Sequence, residues 1–195
     1  MNSFKRRLLR YIFGKVQKLK IDFYQSISHY EIVVGSPRVN QPVQIEGKGK
    51  VYFDENVNLG YYPSPKHLDS SIYIEARSEN AYVRIGKNTY INNSCVLIAD
   101  KTFVIIGDDV LMGTNVEITD SDFHNLDPAK RKEDTYECMP VVVENNVFIG
   151  SNVKILKGVT IGANSVIGNG SIVNKDIPGN VVAAGIPAKV LKSLC

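Results

Sequence analysis

The sequence predicts an all-β fold, a parallel β-helix wound from hexapeptide repeats. Three observations predict it. First, Val143, Ile149, Ile155, Ile161, Ile167 and Val173 stand six residues apart without a slip. Second, the residues four places after each (Val147, Val153, Val159, Ser165, Ser171 and Ile177) are small or β-branched. Third, Gly, Asn and Asp recur between the short β-prone runs, and these residue types tolerate the positive φ of tight corners. A period of six is not helical, and turn signals this frequent do not fit a hairpin meander. They fit a solenoid in which every sixth residue points inward. Three six-residue sides close one coil of about eighteen residues. The same frame occurs at Ile85, Ile91 and Leu97, and again at Ile106, Met112 and Ile118 after a three-residue insertion. Phe53 to Leu59-Gly60 is a weaker copy. Asp108-Asp109 reads as a corner pair.

Such an array is quasi-one-dimensional, so its ends need caps. The chain divides into a basic helix and lead-in segment over 1–44, the coils over 45–180, and a capping segment over 181–195. Phe4, Leu8, Tyr11, Ile12, Val16 and Leu19 fall at helical spacing, which predicts a helix over 3–20 able to cover one end. After Pro187, Ala-Lys-Val-Leu-Lys-Ser-Leu predicts a short C-terminal helix at the other. Residues 21–44 carry no clear signal; Pro37 and Pro42 mark irregular backbone or strand edges.

Composition narrows the function classes. The 195 residues suit one ordinary domain, and 44% hydrophobic with 22% charged residues excludes wholesale disorder. No run approaches the ~18 uncharged apolar residues of a membrane span. Lys5, Arg6, Arg7 and Arg10 interrupt the N-terminus where a secretory signal would be apolar. Cys95, Cys138 and Cys195 show neither paired nor zinc-binding spacing, so a reducing, cytoplasmic compartment and no metal are expected. The net charge of +3 is uneven. Residues 1–20 hold seven Lys and Arg and no acid; the rest hold 16 basic and 20 acidic residues, a net of −4. An acidic body argues against nucleic acid as a partner. The basic helix reads either as a membrane-surface element, which would place the protein at the inner membrane face, or as a helix packed on the body with a solvated basic side.

Two segments break the period, 61–71 with Pro63, Pro65 and His67, and 119–142 with a charged run. Loops leaving a solenoid corner are where function usually sits. His124 opens the longer one. Asp120 and Asp122 alternate with it, so an extended segment would put all three on one side, where a carboxylate could orient the imidazole as a general base. The bland reading is a surface histidine. His29 and His67 lack such company. No G-x-S-x-G elbow is present.

The stretch Val147 to Leu191, closing on Asp176-Ile-Pro-Gly-Asn-Val-Val-Ala-Ala-Gly-Ile-Pro-Ala-Lys-Val, closely resembles the hexapeptide-repeat acyltransferases. Within them it is most similar to galactoside, maltose and surface-polysaccharide O-acetyltransferases. The resemblance covers about 85–192. It implies a left-handed coil, a homotrimer, and acetyl-CoA held between two subunits. His124-Asn-Leu-Asp-Pro looks like the family's His-Pro-Leu-Asp-Pro catalytic segment. Asn93, Asp100 and Asp122 would serve the acceptor sugar. Phe148, in place of the family's frequent Trp, would line the pantetheine, and Ser151 would lie near the thioester. Asn169, Asn174, Lys175, Lys189 and Lys192 complete the implied CoA contacts. Asn169 replaces a small alanine and Asn174 a threonine. Lys189 and Lys192 replace arginines, keeping the charge but losing the bidentate fork.

The expected function is acetyl-CoA-dependent O-acetylation of a sugar in surface-polysaccharide biosynthesis. The acceptor would be a nucleotide sugar, a lipid-linked oligosaccharide or the polymer itself. The alternatives are N-acetylation of an amino sugar and a trimeric β-helix scaffold or binding protein without catalysis.

Overall fold

The computed structural model describes residues 3–194. Short parallel strands stack into three faces. Face one comprises Tyr82–Ile85, Phe103–Ile106, Val141–Val143 and Thr160–Ile161; face two comprises Asn58–Leu59, Tyr90–Ile91, Leu111–Met112, Phe148–Ile149 and Val166–Ile167; face three comprises Ile72–Ala76, Val96–Ala99, Glu117–Thr119, Lys154–Ile155 and Ile172–Val173. The chain visits the faces in that order, coil after coil. Phe148 pairs with Val166 and Lys154 with Ile172, so one coil is eighteen residues, as the period predicts. The long strand Val43–Phe53 joins two faces: its start pairs with Ile72–Glu75 and its end with Tyr82–Ile85.

The inward column is as expected. Val143, Ile149, Ile155, Ile161, Ile167 and Val173 are all buried, as are the six residues four places on. Ser165 and Ser171, the polar members, are satisfied within the wall. The Ser165 hydroxyl donates to Pro178 O (2.8 Å) and that of Ser171 to Gly168 O (2.6 Å). This removes the cost of burying a hydroxyl.

The edge between faces one and two explains the recurrent Asn. Asn56, Asn88, Asp109, Asn146, Asn164 and Asn180 all have φ between 56° and 62°. Their side chains form a ladder along the edge. Asn88 Nδ2 donates to Asp109 (3.1 Å), Asn146 to Asn164 (2.9 Å) and Asn164 to Asn180 (3.0 Å). The left-handed backbone and the ladder each favour the same residue type.

Cys95 stands in the column, fully buried, and burial pushes its thiol up to about 12. Iodoacetamide at mildly alkaline pH should therefore leave Cys95 unmodified in native protein and label it after denaturation. Peptide mass spectrometry reads the difference; rapid native labelling would contradict it.

The ends differ from expectation. The N-terminal helix runs Ser3–Ile27, beyond the predicted Leu19-Lys20, and His29–Val34 then pairs in parallel with the strand Val43–Phe53. The predicted C-terminal helix is absent. Ala188–Ser193 is instead a strand, antiparallel to Val181–Gly185. The reason is edge protection. The last coil would otherwise offer open strand hydrogen bonds, whereas a seven-residue helix has little stability of its own. Gly185, at φ 112°, lets the chain turn back. Cys195 lies outside the described residues.

Candidate active site

Two loops leave the coils at different edges. The segment 61–71 leaves between faces two and three, and 120–140 leaves between faces three and one.

The base of the longer loop is a buried polar knot. The Asp120 carboxylate accepts from Asp100 N (2.7 Å), Thr102 N (2.8 Å) and Thr102 Oγ1 (2.7 Å). The Asp100 carboxylate accepts from Ser121 Oγ (3.1 Å) and faces Arg77 Nη1 at 3.5 Å. Arg77 also grips Glu75 at 2.8 Å and lies 5.0 Å from the Phe123 ring centre. Desolvation first, then Asp100, pushes the Tyr136 hydroxyl upward in pKa, so it stays a neutral donor. Met139 N donates to Asp120 O (2.8 Å), closing the loop's neck.

His124 rises from this base. Phe123 has φ 60° and sits on Arg77, and Asn125 Nδ2 donates to Thr135 O (2.6 Å). The backbone is thus held on both sides. The imidazole is exposed and bonds to no described residue. The expected alternation of Asp120, Asp122 and His124 is not found. Positive φ at Phe123 breaks the extended run, Asp120 turns inward, and Asp122 pairs with Lys157 at 2.8 Å. Neither carboxylate orients His124. Lys157 also pairs with Glu137 across the loop's neck.

Asn93 has a different place from the one expected of a sugar contact. It is fully buried, and its amide is spent on the shorter loop. Nδ2 donates to Tyr61 O (3.0 Å) and Pro65 O (2.9 Å), and Oδ1 accepts from Tyr61 N (3.0 Å). Its neighbour Asn92 was not singled out by the sequence. Asn92 is half-buried in a groove of about 270 Å³ along face two, with Tyr61, Tyr90, Leu111 and Phe148. Tyr90, Leu111 and Phe148 are each 42–50% exposed and pair in register on successive coils. The available signal was positional: each immediately precedes an inward hexad residue, so a second, outward apolar column ran beside the first.

The groove ends at a close-packed edge. Ser151 Oγ accepts from Thr114 N (3.1 Å), and Asn169 Oδ1 accepts from Ser151 N (2.9 Å). Gly113 and Gly150 allow these reaches. A Cβ on Gly113 would stand 2.7 Å from Ser151 Oγ, and one on Gly150 2.3 Å from Asn169 Oδ1. Asn174 and Lys175 are exposed on the edge between faces three and one. Lys189 and Lys192 are exposed on the hairpin of face two. None of the three lysines is ion-paired with a described residue. Within one chain, then, the predicted residues form two groups on separate edges. No metal-binding group of His, Cys, Asp or Glu exists among the described residues.

Comparison with known proteins adds the decisive observation. The model of the "Bacterial transferase hexapeptide (six repeats)" family matches residues 140–175. Galactoside O-acetyltransferase of Escherichia coli K12 is 46% identical over 117 residues, 60% of this chain and 57% of that protein. The chain belongs to the hexapeptide-repeat acetyltransferase family. Among solved members of that family, a Vibrio cholerae hexapeptide-repeat acetyltransferase complexed with acetyl-CoA superposes with TM-score 0.58 at 27% identity, covering 99% of this chain and 91% of that one. The polySia-specific acetyltransferase NeuO gives 0.61 at 27% identity, covering 84% and 83%. The match to the Escherichia coli member of the hexapeptide-repeat acetyltransferases spans little more than half that protein's length.

Proposed function

We propose that this chain transfers an acetyl group from acetyl-CoA to a sugar hydroxyl, with His124 as general base. The observation that carries the reading is the exposed imidazole of His124, held on a braced loop in a chain so similar to a galactoside O-acetyltransferase. His124 takes the hydroxyl proton as the sugar oxygen attacks the thioester carbonyl. It returns the proton to the departing thiolate, so no covalent enzyme intermediate is needed. Wall N–H groups supply charge stabilisation at the developing oxyanion.

The coil is left-handed in this reading, and the working unit is a homotrimer. The separation of the two residue groups supports it. Asn92, Phe148, Ser151 and Asn169 belong to face two and its edge, His124, Asp100 and Lys175 to the opposite edge. Neighbouring copies packed side by side bring one group against the other. Phe148 offers an apolar surface to pantetheine, and Lys175, Lys189 and Lys192 offer unpaired charge to phosphates. Asp122 acts indirectly, by holding Lys157 at the loop's neck. The acceptor is a surface-polysaccharide sugar; the likeness to an acetyltransferase specific for polySia favours a glycan over a small solute.

Thermal unfolding with and without CoA tests the cofactor half without knowledge of the acceptor. Ligand at ~100 times its dissociation constant adds about 2.7 kcal/mol. A clear rise in melting temperature is expected, and K189A/K192A should diminish it. No rise with either CoA or acetyl-CoA would leave the non-catalytic scaffold reading in its place.

A further inference from the structure

The N-terminal helix is mounted with an apolar stripe outward. A helix with such a stripe ordinarily turns it to the core. Here the side that meets the body carries Gln17, its buried residue, with Phe13, Ile21 and Tyr24 partly buried beside it, and a second apolar stripe is left over. Gln17 Nε2 donates to His67 O (3.2 Å) and Lys20 Nζ to Leu68 O (2.8 Å). The Phe13 ring lies 5.6 Å from that of Tyr62 and 6.0 Å from that of His67. These contacts fix the helix on the 61–71 loop, which Asn93 in turn anchors to the coils. About 130° round the helix axis, Leu8, Ile12, Val16, Leu19, Phe23 and Ile27 run at spacings of three or four residues. They are 44–68% exposed. Isolated apolar residues at a surface need no explanation, but a continuous stripe about five turns long does.

Charge selects the occupant. The helix carries seven Lys and Arg against one acid, Asp22, while residues 28–195 hold 16 basic and 19 acidic residues. By helical spacing Lys5 lies within the stripe, and Lys15 and Lys20 lie along its two borders. A second copy of this helix would set cations against cations. A bilayer surface rich in anionic lipid complements both properties, because apolar side chains enter the acyl boundary while lysine stems reach back to the headgroups. We infer that residues 3–27 dock the protein on an anionic membrane surface. No described helix is long and apolar enough to cross a membrane, so the contact is interfacial. This inference stands on the helix alone and is independent of the acetyltransferase reading.

Cosedimentation of the full chain with vesicles tests it, using phosphatidylcholine alone and phosphatidylcholine with phosphatidylglycerol in equal parts. Binding to the mixed vesicles and not to the neutral ones is expected, weakening as salt screens the charges. I12E/L19E should lower the partition coefficient on the order of tenfold or more, with the circular dichroism spectrum and gel-filtration elution unchanged. K5E/K15E, which leaves the apolar residues in place, should abolish the preference for anionic lipid. The inference is overturned if the native chain stays in the supernatant with mixed vesicles, or binds both kinds alike. It is equally overturned if I12E/L19E changes the assembly size while vesicle binding persists, since the stripe would then be a contact between copies.

Discussion

Turnover by the His124→Ala protein is expected to fall about 10²–10⁴-fold, the usual contribution of a general base. The structure makes this a clean experiment. The imidazole is exposed and bonds to no described residue, so its removal leaves no buried group unsatisfied and opens no cavity. Melting temperature and the shift induced by CoA should stay at wild-type values. The loop's shape is held by other groups, namely Asp120 at its base and Asn125 near its tip. A variant that loses activity while keeping its stability and CoA binding places the histidine in the chemistry. Steady-state rates near wild type, with a sugar the native protein acetylates, would remove His124 from the mechanism.

The largest effect on stability is expected in the inward column. Ile149 is fully buried and sits in register between Met112 of the preceding coil and Ile167 of the following one. Ile149→Ala should cost about 2–5 kcal/mol, since the transfer term and an unfilled cavity add. Ile149→Val, which removes a single methylene, should cost about 0.5–1.5 kcal/mol. The wall is hydrogen-bonded to both neighbouring coils, so it has little freedom to collapse into the gap. Denaturant unfolding gives both values. Equal costs for the two substitutions would mean that the column is loosely packed and that the wall hydrogen bonds dominate.

What could be read from the sequence followed from repetition. The inward column was legible because one slip in register would expose every later Ile. The corners were legible because positive φ admits few residue types, and Asn88, Asn146 and Asn164 advertise it. Features that occur once were harder. Ala188–Ser193 has a composition open to helix or strand, and the unpaired edge of Val181–Gly185 decides it. The orientation of the helix Ser3–Ile27 depends on loop carbonyls of His67 and Leu68, which no local pattern encodes. Asn92 and Asn93 are adjacent and alike in type. Only the position of Tyr61 and Pro65 assigns one to the loop and leaves the other in the groove. Likewise the sign of one backbone angle at Phe123 separates His124 from Asp120 and Asp122, the two carboxylates of the expected alternation.

The eighteen-residue coil gives this chain something like a reading frame. Adding or removing one whole coil, the spacing from Phe148 to Val166, would change the length of the prism and leave every later residue facing as before. Removing six residues would turn everything downstream by one face. Lys189 and Lys192 would then look away from Phe148, although no functional residue had been altered. Changes of length that keep the faces aligned therefore come in whole coils, or else accumulate in the two segments that already stand outside the frame, 61–71 and 120–140. The site can be rebuilt at its loops without disturbing the column.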